Sequence, residues 1–100
     1  MEIKVIKENG IVTAELSGRL DTPAAQEVAP QFEELKAAAS GTVVLDCREL
    51  TYISSSGLRL FLMLRKAAAQ NGGSVIVRAM RDEIRTVFMM TGFLSLFEIQ

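Results

Sequence analysis

The chain opens on two stretches in which apolar and polar residues alternate, 3–7 and 11–17. A period of two puts Ile3 and Val5 on one face of a strand, and Val12, Ala14 and Leu16 on one face of the next. Asn9-Gly10 lies between them, and both central positions of a type I′ turn need positive φ, so the pair predicts a β-hairpin. At Gly18-Arg19-Leu20-Asp21-Thr22-Pro23 the pattern changes. Asp21 or Thr22 can cap a helix, and Pro23 suits its first position, where no N–H is required. Beyond it Ala25, Val28, Phe32, Leu35 and Ala39 recur at steps of three and four, while Gln26, Glu27, Gln31, Glu33 and Glu34 lie mostly off that stripe. This predicts an amphipathic helix with a kink or break near Ala29, because Pro30 loses a hydrogen bond and clashes with the preceding turn at a cost of about 3 kcal/mol.

Ser40-Gly41 ends that helix, and Thr42 to Asp46 reads as a largely apolar, β-branched central strand covered on its faces. A short polar link then leads to Ser54-Ser55-Ser56-Gly57. From about Leu58, apolar residues surround most of a second helix of at least ten residues. It leaves Arg59, Lys66 and Gln70 to solvent, and is expected to be more buried than the first. Asn71-Gly72-Gly73 is its stop, Ser74 to Val77 the next strand, and Arg81-Asp82-Glu83 the acidic opening of a third helix with Ile84, Val87 and Phe88 on one side. Gly92 is placed for its C-cap, and a short strand around Leu96 to Ile99 closes the order β-β-α-β-α-β-α-β. The predicted fold is α/β, a single domain over 1–100 with a mixed β-sheet. Right-handed crossovers between adjacent parallel strands put the helices mainly on one side.

The serine cluster is the candidate chemistry. The first N–H groups of a helix lack intrahelical partners and carry partial positive charge, so Ser54, Ser55 and Ser56 sit where a side-chain oxygen or an added phosphate is held well. The plainer account is that serine is a good N-cap, worth about 1 kcal/mol over alanine. Ser54 is expected to be that cap and Ser56 to make a first-turn contact, while Gly57 permits close backbone approach.

Composition narrows the choices. With 49% hydrophobic and 23% charged residues, the 100-residue chain has the balance of one folded domain. Its longest aliphatic and aromatic run, Leu60 to Leu64, is far short of the ~20 residues that cross a bilayer. The opening residues lack the h-region of a secretory signal, so the expectation is a cytoplasmic protein without membrane insertion. A net charge of −1 with no basic run argues against nucleic acid as a partner. With no histidine and one cysteine, neither a Ser-His relay nor a zinc-type site can be built. Cys47, after a strand-like run, reads as a buried inert thiol. A Ser-Lys pair fails on distance: Lys66 lies three turns from Ser55, roughly 16 Å on an ideal helix. No P-loop is present, Gly72-Gly73 being a turn, and no metal or cofactor is expected. A mean hydropathy of +0.26 suits an exposed apolar docking patch.

Four landmarks then occur in family order: Leu16-Ser17-Gly18-Arg19-Leu20-Asp21; Val44-Leu45-Asp46 with Leu50-Thr51-Tyr52-Ile53; Ser54-Ser55-Ser56-Gly57-Leu58; and Met90-Thr91-Gly92-Phe93. Over nearly its whole length the chain resembles the STAS domain of bacterial anti-sigma factor antagonists. The family signature usually reads Asp-Ser-Ser-Gly-Leu with its first serine phosphorylated, which places the acceptor at Ser55, with Ser54 and Ser56 as the alternatives. In two respects the chain departs from it: Ser54 replaces the usual acid, and the sequence stops at Gln100, where the family often continues in a helix.

The resemblance implies a non-enzymatic signalling module. When unphosphorylated it binds an anti-sigma factor serine kinase and so frees a sigma factor. Phosphorylation cancels the binding, and a serine phosphatase restores it. Asp21 matches a family position near the acceptor and the kinase surface, which stands beside its role as a cap. Arg59 is either a contact for an acidic partner or a solvated charge. The implied partner surface is therefore Asp21, Ser54, Ser55, Ser56, Gly57 and Arg59. The alternative is a STAS accessory subunit of a membrane ABC transporter ATPase of the lipid-trafficking type, without a phosphorylation cycle.

Overall fold

The structure, a computed structural model, describes residues 1–100. Strands β1 (Glu2–Glu8) and β2 (Ile11–Leu20) form the expected antiparallel hairpin, turning at Asn9 and Gly10 with φ of 51° and 78°. Then follow α1 (Thr22–Ala37), β3 (Thr42–Ile53), α2 (Ser55–Gln70), β4 (Ser74–Arg78), α3 (Asp82–Thr91), a 3₁₀ turn at Phe93–Ser95 and β5 (Glu98–Ile99). The sheet runs β1-β2-β3-β4-β5, antiparallel only between the first two strands. Strands β2 to β4 end at the same edge, where helices α1, α2 and α3 begin.

The helices share one core. Phe32 of α1, Phe61 of α2 and Phe88 of α3 are fully buried, with ring centroids 5.9 Å apart in each successive pair. Such contacts add about 0.5–1.5 kcal/mol to the burial of the rings themselves. Leu45 and Cys47 of β3 belong to this core. Asp46, between them, points to the opposite face of the sheet, where its carboxylate accepts from Arg78 Nε and Nη2 at 3.2 Å and from the Arg48 N–H at 3.0 Å.

Several boundaries differ from the expectation. No polar link precedes the serines: β3 continues for twelve residues to Ile53. Its pairing with β2 passes from Glu15↔Asp46 to Ser17↔Glu49, and from Gly18↔Leu50 to Arg19↔Tyr52, so β3 carries one extra residue at each step. These bulges space the buried residues Cys47, Leu50 and Ile53 by three rather than two, which hides a strand from a period-two reading. Helix α1 is not broken near Ala29. It runs through Pro30, which is exposed, as is Gln26, whose carbonyl loses the bond. Ala39 is buried but lies beyond the helix, in the turn that follows. Helix α2 is no more buried than α1, because both lie in a single layer with one face to solvent; each has five buried residues. The last strand is shorter than expected, the 3₁₀ turn having absorbed the chain after Gly92, which caps α3 with φ 79°.

Candidate functional site

The site grows out of the paired ends of β2 and β3. Leu20 faces Ile53 in the ladder, and the Ser54 N–H donates to the Leu20 carbonyl at 2.9 Å. The next residue of each strand is a helix cap. Asp21 Oδ1 accepts from the Ala24 N–H at 3.0 Å to start α1, and Ser54 Oγ accepts from the Gly57 N–H at 3.2 Å to start α2. The capping roles expected of Asp21 and Ser54 are thus met, and Thr22 is not the cap. Two helix N-termini stand side by side on one rim.

Gly57 sets how low α2 sits. A Cβ there would lie 2.7 Å from Leu20 Cγ and 2.9 Å from Ile53 Cγ1, so the first turn of α2 rests directly on the ends of both strands. Ser55 is consequently lifted to the outside as the first helical residue. It is exposed, and its hydroxyl makes no hydrogen bond within the protein. Ser56 is half-buried and forms none either, contrary to the expected first-turn contact, because the Ser54 hydroxyl already serves the first turn.

Between the N-terminal halves of α1 and α2 runs an open groove of about 400 Å³. Thr22, Ala25 and Gln26 line one wall; Ser55, Ser56 and Arg59 line the other. No carboxylate lines it, and neither helix has an acid in its first turn. Arg59 is exposed and makes no ion pair. The structure therefore brings Ser55, Ser56 and Arg59 into one groove, with Asp21, Ser54 and Gly57 forming the frame beneath. Thr22 and Gln26 were missed as groove residues. They stand four apart on the polar edge of α1, a signal that acquires meaning only once α2 is placed beside it.

On the opposite face of the same rim, the Arg19 guanidinium lies 4.3 Å from the centre of the exposed Tyr52 ring. The large exposed apolar residues, Met89 and Met90 on α3 with Val5, Ile11, Tyr52 and Met63, lie outside the groove. The hydropathy surplus therefore does not mark it. Cys47 lies fully buried in β3; burial, and secondarily the Asp46 charge, push its thiol up to about 12, so it is no nucleophile at neutral pH. No cluster of three or more His, Cys, Asp or Glu side chains is placed to hold a metal, and no helix is long and apolar enough to cross a membrane.

The comparisons agree with this frame. BtrV of Bordetella bronchiseptica is 31% identical over 99 residues, covering 99% of this chain and 85% of that relative. The anti-sigma F factor antagonist of Paenibacillus polymyxa is 26% identical, covering 99% and 86%. Among solved structures, SpoIIAA matches in its unphosphorylated and phosphorylated forms with a TM-score of 0.75 each, at 19% and 20% identity. It covers 99% of this chain and 87% and 91% of the respective SpoIIAA chains. The STAS domain profile matches residues 2–100, and the chain belongs to the STAS domain family.

Proposed function

We propose that this protein is an anti-sigma factor antagonist, a cytoplasmic binding module rather than an enzyme. In this reading it holds an anti-sigma factor serine kinase while Ser55 is unmodified and releases it when Ser55 is phosphorylated. A serine phosphatase resets the cycle. The observation that carries this reading is Ser55 itself, an exposed hydroxyl at the start of α2, without an internal hydrogen bond, on the wall of a groove. The names of the relatives supply the class of partner.

The physics of the switch follows from position. A phosphate adds about −1.5 to −2 charges and three acceptor oxygens. At Ser55 these meet the positive end of α2 and no first-turn acid, so the fold tolerates them. A partner surface fitted to a neutral hydroxyl does not. Asp21, Ser54, Ser56, Gly57 and Arg59 would share that contact, the first two by holding the rim in register.

Pull-down from native lysate with wild type and Ser55→Asp, followed by mass spectrometry of baits and prey, tests the proposal. Wild type should retain a small serine kinase and acquire phosphate at Ser55 when ATP is added. Ser55→Asp should lose the kinase, and Ser55→Ala should keep it whether or not ATP is present. Equal retention by all three baits overturns the reading. A second reading has one observation in its favour: Ser54 stands where the family usually has an acid. If all baits retain a transporter ATPase and Ser55 stays unmodified, the protein is instead an ABC transporter accessory subunit.

A further inference from the structure

Resting on phosphorylation at Ser55, we propose that Arg59 is the partner of the phosphate within the chain, closing over it across the wall of the α1–α2 groove. Ser55 and Arg59 are four residues apart on one helix and line the same groove. That spacing puts their Cβ atoms about 5–6 Å apart on one face, within reach of a guanidinium. The positive end of α2 does not by itself select a ligand; the arginine does. Arg78 is engaged with Asp46, Arg81 with Glu49 and the Arg48 carbonyl, Arg65 with the Leu96 carbonyl and Arg19 with the Tyr52 ring; of the remaining arginines, Arg48, Arg59 and Arg85, Arg59 alone lines the groove. Arg59 has neither an ion pair nor a hydrogen bond.

The surroundings offer it no competing anion. Asp21, the acid at the head of α1, has its carboxylate turned onto the Ala24 N–H, and Glu27, on α1, does not line the groove. Thr22 and Gln26 on the facing wall are neutral and add only uncharged donors. A phosphoryl group on Ser55 is a dianion with a planar, two-pronged donor four residues away, the geometry that favours arginine over lysine. The regulatory consequence is a double change. Phosphorylation adds negative charge to the partner surface and at the same time withdraws its nearest cation, so an acidic patch on a partner loses its attraction and meets repulsion together.

The test installs phosphoserine at position 55 during synthesis, so it does not depend on any kinase. The phosphate is titrated by ³¹P NMR in the phosphorylated forms of wild type, Arg59→Gln and Arg59→Lys. Its second ionisation, near pH 6 for an isolated phosphoserine, should fall about 0.15–0.35 unit lower in wild type than in Arg59→Gln, with Arg59→Lys between. In 1 M salt the difference should collapse, since the pair is exposed and the Debye length is then about 3 Å. Identical titrations in wild type and Arg59→Gln overturn the clamp, whatever the lysate experiment shows. Conversely, a titration shift with no phosphate ever acquired from lysate leaves the clamp standing and removes the functional reading. Should Arg59→Gln fail to fold, the wild-type salt dependence and the Lys variant carry the test alone, and no shift in either overturns it.

Discussion

Helices α1 and α2 begin side by side at the carboxyl ends of adjacent parallel strands, yet their first turns are finished differently. At α1 a carboxylate caps, Pro23 removes another of the free donors, and Ala24 at the third helical position carries a Cβ. At α2 a neutral hydroxyl caps, no proline intervenes, and the third position is Gly57, pressed on Leu20 and Ile53. The first helix start has its own anion built in. The second spends only the Gly57 N–H on its side-chain cap, keeps the Ser55 and Ser56 N–H groups and its positive end, and presents the Ser55 side chain beside them. The difference teaches that a fold can repeat one local design and build a charge into only one copy.

The largest expected effect treats both starts alike, because it acts on the frame below them. Burial, and secondarily the Asp46 charge, push the Cys47 thiol up to about 12 in the folded chain from an unperturbed 9.0. The native state therefore keeps a proton that the unfolded chain loses, and stability is intact below pH 9. It should fall by about 1.4 kcal/mol per pH unit as the pH rises through that window toward 12. Urea melts at pH 8, 9.5 and 11 should show Cys47→Ala losing less stability than wild type over the interval. A parallel decline in both would contradict the buried thiol.

The next effect separates the two starts. Gly57→Ala has to displace Leu20 and Ile53, and should cost about 1–3 kcal/mol while moving Ser55. Ala24→Gly meets no clash and should cost the helix propensity plus one buried methyl, about 1–2 kcal/mol. Denaturant midpoints with an unchanged m-value would measure both; a Gly57→Ala variant as stable as wild type would remove the idea that α2 is tightly seated on the two strands.

Capping changes come third. Asp21→Ala and Ser54→Ala should each cost about 1 kcal/mol, but only the first should depend on salt. The smallest effect sharpens the comparison most: Ser54→Asp, which gives α2 the charged cap of α1, should add at most about 0.3–1 kcal/mol in thermal melts at low salt. It should also raise the ionisation pH of an installed phosphate at Ser55 by like-charge repulsion. No change in that titration would mean the two starts are electrostatically equivalent.

Much of this was legible in the sequence, because the signals were local. The Asn9-Gly10 turn, the caps at Asp21 and Ser54, the C-cap at Gly92 and the helical stripe of α1 all follow from chemistry within a few residues. What escaped depends on the neighbouring strand or helix. The bulges of β3 break the period of two after Cys47, and only pairing with β2 reveals that the chain is still a strand. Pro30 is carried within α1 because it and Gln26 face solvent, where water can take up the carbonyl that the proline leaves without a donor. Thr22 and Gln26 joined Ser55 and Arg59 only through the packing of α1 on α2.

The register of Leu20 against Ile53 also orders events in time. These residues are 33 positions apart, so the rim is assembled only after a long loop has closed around α1, whereas the β1–β2 hairpin forms from neighbours. Ser55 is therefore framed only in the folded chain. An enzyme that reads the assembled rim would pass over nascent and misfolded copies, so the fraction phosphorylated would count finished molecules rather than all that were made.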